Sequence, residues 1–117
     1  MVKIAVASTD GKVVNEHFGR AGRFFILNCD EEAGTYDFLE ERQVIPVCRS
    51  GNHEDGDLLR NINSLSDCDY ILASRIGPRA EREIERMGMQ SFEIQGVISE
   101  LIEKLLRYVK INKLMVR

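Results

Sequence analysis

The segment Asp69-Tyr70-Ile71-Leu72-Ala73-Ser74-Arg75-Ile76-Gly77-Pro78-Arg79 decides the fold class. Its first half is a short apolar run with aromatic and branched side chains, the composition of a strand buried in a sheet. Its second half breaks that run with glycine and then proline. Proline is favoured at the first position of a helix, where its missing N–H would have had no partner. Gly88 then closes the helix as a C-terminal cap, and Ser91-Phe92-Glu93-Ile94 supplies another short strand. Strand, helix and strand in this order make a βαβ unit, with parallel strands and a right-handed crossover.

Towards the N-terminus, Leu58, Leu59, Ile62 and Leu65 recur at helical spacing, with Asp55 or Asp57 available as the N-cap. Cys48 to Gly56 is polar and glycine-bearing, a loop. Three strands precede it: Lys3 to Ala7, stopped by Ser8-Thr9-Asp10-Gly11; Arg23 to Asn28; and Thr35 to Val44. The short polar link Asp30 to Gly34 joins the last two as an antiparallel hairpin. Towards the C-terminus, Val97, Ile98, Leu101, Ile102, Leu105, Leu106 and Val109 mark an amphipathic third helix. The order β-β-β-α-β-α-β-α predicts an α/β domain with a five-stranded mixed sheet and helices on both faces. Numbered along the chain, the strands are expected in the spatial order 3-2-1-4-5, with the second antiparallel. Open α/β sheets bind ligands in the crevice at the carboxyl ends of their strands. Here that crevice lies between strands one and four, and it is expected to hold Ser8, Asp10, Arg75 and Gly77.

Composition narrows the function. The chain has 117 residues, of which 44% are hydrophobic and 30% charged, with 16 Lys+Arg against 19 Asp+Glu. That suits one domain over residues 1–117, ending in a basic extension from 107 to 117, and is too apolar for disorder. No uncharged stretch approaches the ~18 residues of a membrane span. The N-terminus is too short for a signal peptide before Asp10 and Lys12 interrupt it. Three cysteines without a CxxC pattern fit a reducing cytoplasm. The slight net negative charge gives no electrostatic reason to expect nucleic acid as a partner, and no membrane partner is expected.

Three segments carry chemistry. In Asp10-Gly11-Lys12-Val13-Val14-Asn15-Glu16-His17-Phe18-Gly19-Arg20-Ala21, His17 sits in a glycine-flanked connection where it can ligate a metal, donate a proton or simply cap the loop. Phe18 is expected to anchor this loop in the core and Gly19 to supply a positive φ. In the second, Cys48 and His53 stand five residues apart. That is half of a zinc site, and no second pair of usual spacing completes it. The pair suits an exchangeable metal or iron–sulfur ligand, or Cys48 is an ordinary loop cysteine. Cys29 and Cys68 border apolar strands and read as core-edge residues. The third is the Ser74 to Arg79 turn, where helix amides, Arg75 and Arg79 converge as a seat for an anion. Arg82 and Arg86 read as partners of neighbouring glutamates. A two-metal nuclease would need carboxylates on the sheet, and Ile4-Ala5-Val6-Ala7 contains none. No serine has an evident His/Asp pair or nucleophile elbow. The expectation is a binding protein, not an enzyme.

With these residues in place, the sequence resembles the dinitrogenase iron-molybdenum cofactor family, the small domain of NifX, NafY and the C-terminal part of NifB. The likeness is carried by Asp10-Gly11-Lys12-Val13, His17-Phe18-Gly19-Arg20-Ala21, Phe24-Phe25-Ile26, Cys48, Cys68 to Ala73, Ile76-Gly77-Pro78-Arg79-Ala80, Gly88 and Phe92-Glu93-Ile94. It spans about residues 2 to 106. The resemblance implies a ribonuclease-H-like fold without nuclease chemistry. It also implies a carrier of iron-molybdenum cofactor or its iron–sulfur precursor cluster, serving nitrogenase or iron–sulfur assembly proteins. Histidine and cysteine are the contacts it implies, at His17 and Cys48; His53 is added from its spacing alone. A general iron–sulfur or metal-handling protein, and a regulatory interaction module without metal, are the alternatives.

Overall fold

The computed structural model of the chain describes residues 1–46 and 55–115. In chain order the elements are β1 (Val2–Ala7), β2 (Val13–Val14), β3 (Arg23–Asp30), β4 (Thr35–Gln43), α1 (Asp55–Ser64), β5 (Tyr70–Ala73), α2 (Pro78–Arg86), β6 (Gln90–Glu93), β7 (Gly96–Val97) and α3 (Ile98–Met115). Among the described residues the main sheet has five strands, ordered β4-β3-β1-β5-β6. β1 is antiparallel to β3 and parallel to β5, and β5 is parallel to β6. The mixed five-stranded sheet and its three helices agree with the sequence analysis.

The central strand explains the layers. Successive side chains of a strand point to opposite faces, and β1 is apolar on both. Ile4 and Val6 join Leu27, Leu72, Leu101, Ile102, Leu105 and Leu106, which is the face covered by α3. Ala5 and Ala7 join Phe24, Ile26, Ile62, Leu65, Ile71 and Ile84, the face covered by α1 and α2. β4 lies beyond both helical layers, so Phe38 and Leu39 remain exposed. Its charged residues, including Glu41 in an ion pair with Arg23 at 2.9 Å, suit an edge strand that must not pair with other chains. A bulge opposite Ile26 and Leu27 leaves Leu39 as the extra residue of β4.

The punctuation of α2 follows its sequence. Gly77 takes an extended conformation (φ −65°, ψ 154°), Pro78 opens the helix, and Gly88 (φ +86°) ends it in the left-handed region. Several features differ from the sequence analysis: α1 already includes Asp55 and Gly56, expected at the cap and in the preceding loop. β2 and β7 pair with each other as a separate ribbon, Val13 opposite Val97 and Val14 opposite Gly96. Strands of two residues have no period to detect, and their partners are far apart in the chain. Gly19 does not have a positive φ; at this end of the sheet that role falls to Gly11 (φ +76°). The basic segment from residue 107 continues α3 to Met115, with Val109 in the core. Among the described residues no helix is long and apolar enough to cross a membrane.

Candidate functional site

Beyond β1 the chain folds on its own side chains. The Ser8 hydroxyl, buried, accepts the N–H groups of Asp10 (3.2 Å) and Gly11 (2.9 Å) and donates to Asp10 Oδ1 (3.2 Å). That same carboxylate oxygen accepts the N–H groups of Lys12 (2.8 Å) and Val13 (3.2 Å). These bonds to the Lys12 and Val13 amides hold the Asp10 carboxyl below its ordinary value of 3.8. Ser8 and Asp10 thus build the turn, as short polar side chains do when they bond to the backbone a few residues on. Gly11 has a second constraint besides its φ, because a Cβ there would stand 3.0 Å from the Phe25 ring. Thr9 and Asn15 then close the loop with two hydrogen bonds, of 3.0 and 2.8 Å.

The next residues lie against the end of β5. Ser74 N–H donates to the Glu16 carbonyl at 2.9 Å, and Phe18 N–H donates to the Arg75 carbonyl at 2.8 Å. His17 and Arg75 are therefore paired as in a parallel ladder. The His17 carbonyl in turn accepts the N–H groups of Arg20 (3.1 Å) and Ala21 (3.0 Å), which makes a tight turn. Phe18 and Ala21 are buried, and the Phe18 ring packs on Phe24 with centroids 5.4 Å apart. This anchors the loop while His17 stays only partly buried and Arg20 and Arg75 are exposed. Among the described residues neither arginine takes part in an ion pair.

The sequence-selected residues Ser8, Asp10, His17, Arg75 and Gly77 therefore all lie on connections leaving the carboxyl ends of β1 and β5. Gly77 puts no side chain over the first turn of α2, which has no side-chain cap. Cys48 and His53 lie outside the described residues. The chain leading towards them is fixed at this end of the sheet: Val44 N–H donates to the Gly22 carbonyl at 3.0 Å. The buried Asn61 side chain accepts the Ile45 N–H (3.2 Å) and donates to its carbonyl. Cys29 and Cys68 are buried, and burial pushes each thiol up to about 12. They stay protonated at neutral pH and are poor ligands. Among the described residues, no group of three or more His, Cys, Asp or Glu is placed to hold a metal ion.

Sequence reasoning missed two supporting residues. Glu93, at the end of β6, accepts the Ile76 N–H at 2.8 Å, and Asn61 holds Ile45. Neither has a local signal, since each bonds to backbone brought near by the fold. Among the described residues the resulting arrangement offers one imidazole donor, two guanidinium groups without carboxylate partners and the positive end of a helix. It suits an anionic ligand with a metal atom open to a nitrogen donor.

The chain has relatives among characterised proteins. The chain is 33% identical over 108 residues to FeMo cofactor biosynthesis protein NifB of Frankia alni, covering 90% of this chain and 21% of that protein. It is 32% identical over 111 residues to protein NifX of Azotobacter vinelandii, covering 90% of this chain and 65% of that one. The chain thus spans about a fifth of the NifB relatives it matches and under two thirds of NifX. An NMR structure of a Thermotoga protein shares the fold at a TM-score of 0.61 and 22% identity, covering 90% of this chain and 87% of that one. A crystal structure from Methanocaldococcus jannaschii does so at 0.58 and 13%, covering 91% and 88%. The family model described as dinitrogenase iron-molybdenum cofactor matches residues 1–108, and the chain belongs to that family.

Proposed function

We propose that this chain is a binding and carrier protein for an anionic metal–sulfur cluster. The cargo would be iron-molybdenum cofactor or an iron–sulfur precursor of it, passed between proteins of nitrogenase-type cofactor assembly. The observation that carries this reading is the pairing of His17 with Arg75 at the carboxyl ends of β1 and β5. An iron atom with an exchangeable position accepts an imidazole nitrogen, and the cluster's negative charge is met by Arg75 and Arg20. On sequence grounds alone, Cys48 and His53 are proposed as further ligands. The domain is read as ribonuclease-H-like in its strand order, with binding in place of nuclease chemistry, since β1 presents no carboxylate. The names of its NifB and NifX relatives favour a nitrogenase-type cargo over other iron–sulfur species.

The test is anaerobic titration of the purified chain with a water-soluble synthetic [4Fe–4S] cluster bearing exchangeable thiolates, followed by visible absorbance and iron analysis. Near-stoichiometric uptake that falls at least tenfold in affinity in His17→Ala supports the carrier. Absence of uptake would move the assignment to an interaction module that carries no metal.

A further inference from the structure

The turn between β5 and α2 presents Arg75 and Gly77 at an exposed rim, yet its own peptide groups need partners. The Glu16–Phe18 segment serves Ser74 and Arg75. It does not serve the next amide, that of Ile76, whose side chain is 9% exposed. That N–H donates instead to Glu93 Oε1 at 2.8 Å. Glu93 is itself held firmly: it pairs in register with Ala73, and the following Ile94 N–H donates to the Ala73 carbonyl at 2.8 Å. A carboxylate delivered from a fixed strand end thus sets the turn on one side, while the His17 segment sets it on the other. Pro78 contributes no amide, and Glu93 is a side chain that anchors the approach to α2.

We infer that Glu93 is the positioning residue of the cargo crevice: by holding the Ile76 amide it fixes where Arg75 stands against His17. The inference deepens the carrier reading and rests on it for its link to cargo. The acceptor oxygen helps binding by preorganising the turn, whereas the negative charge beside a seat for an anion opposes binding. Glutamine keeps the reach and the acceptor without the charge. Alanine loses both, and aspartate keeps the charge but is one methylene too short.

The experiment measures two quantities on the parent, Glu93→Gln, Glu93→Asp and Glu93→Ala. One is affinity for the synthetic [4Fe–4S] cluster, and the other is hydrogen exchange of the Ile76 amide followed by NMR. Glu93 is exposed, so all four proteins should fold, with Asp and Ala unfolding within about 6 °C of the parent. The inference predicts that Gln binds as tightly as the parent or more so, and that its Ile76 amide remains protected. Asp and Ala should bind about tenfold more weakly, with Ile76 exchanging about tenfold faster, the scale of one charge-assisted hydrogen bond only partly replaced by water. Equal or tighter binding by Ala would assign Glu93 a purely electrostatic effect and overturn the inference, as would unchanged Ile76 exchange in Ala. Should the parent not take up the cluster, the carrier reading fails, while the exchange comparison still decides whether Glu93 holds the turn.

Discussion

The two ends of β1 and β5 treat charge in opposite ways. At their amino ends Lys3 bonds Asp67 at 3.1 Å, and Arg42, reaching in from β4, bonds Asp67 at 2.7 Å and Glu40 at 3.1 Å. Arg42 also donates to the Ser64 carbonyl, and the Asp69 carboxylate accepts the Lys3 N–H. Hydrogen bonds from Arg42 hold the Asp67 carboxyl well below the usual carboxylate range, and those to Asp67 and Glu40 raise Arg42 above its own. At the carboxyl ends the polar side chains Ser8, Asp10 and Glu93 bond to backbone amides, and among the described residues Arg20 and Arg75 have no carboxylate partner. One end is neutralised within the fold and contributes to its stability. At the other, Arg20 and Arg75 are exposed and take part in no ion pair among the described residues.

The core shared by both ends should give the largest effect. Phe24→Ala removes a fully buried ring that packs against Phe18, and should cost about 3–5 kcal/mol in chemical denaturation. It should also loosen the His17 loop, visible as faster hydrogen exchange at Phe18. Next comes the neutralised end, where Asp67→Asn removes the carboxylate shared by Lys3 and Arg42. The pair of Arg42 and Asp67 is partly exposed, with Asp67 at 45%, so the expected loss is about 1 kcal/mol. Because the folded-state value of Asp67 lies below its ordinary 3.8, its contribution is complete above about pH 4 and fades as pH falls further. Denaturation of parent and Asp67→Asn should therefore differ at pH 7 and converge as the solution is acidified below pH 4. A constant gap would contradict this assignment.

The open end should respond in binding and not in stability. Arg75→Gln combined with Arg20→Gln should weaken cluster binding about tenfold and flatten its salt dependence, with unfolding free energy changed by less than ~0.5 kcal/mol. A matching loss of stability would make these arginines structural and erase the contrast. The smallest effect expected is chemical: in the folded protein Cys29 and Cys68 should resist thiol alkylation at pH 8, because burial keeps both protonated. Labelling at the rate of a free thiol would show that the core opens readily.

Much of this contrast was legible in the sequence where the signal is local. The apolar run before Ser74, the Gly77-Pro78 junction and Gly88 each carry their own stereochemistry, so the βαβ units and all three helices can be read directly. The location of His17 on a glycine-flanked loop was legible for the same reason. Its pairing with Arg75 rests on backbone hydrogen bonds between distant segments, and no spacing rule reports those. The β2–β7 ribbon, Glu93 under Ile76 and Asn61 under Ile45 were hidden for that reason too. The assignment of positive φ to Gly19 failed because composition marks a flexible position without saying which glycine the turn uses. The sequence places Ser8 and Asp10 at the crevice, and the geometry adds what they do there: they fold the loop that leads to His17.

The most direct test is a side-by-side anaerobic titration of parent, His17→Ala and Asp67→Asn with the synthetic [4Fe–4S] cluster, each protein's stability being measured in the same buffer. His17→Ala should lose at least tenfold in cluster affinity at unchanged stability, while Asp67→Asn should lose stability and bind as the parent does. Full binding by His17→Ala would detach the proposed cargo from this end of the sheet.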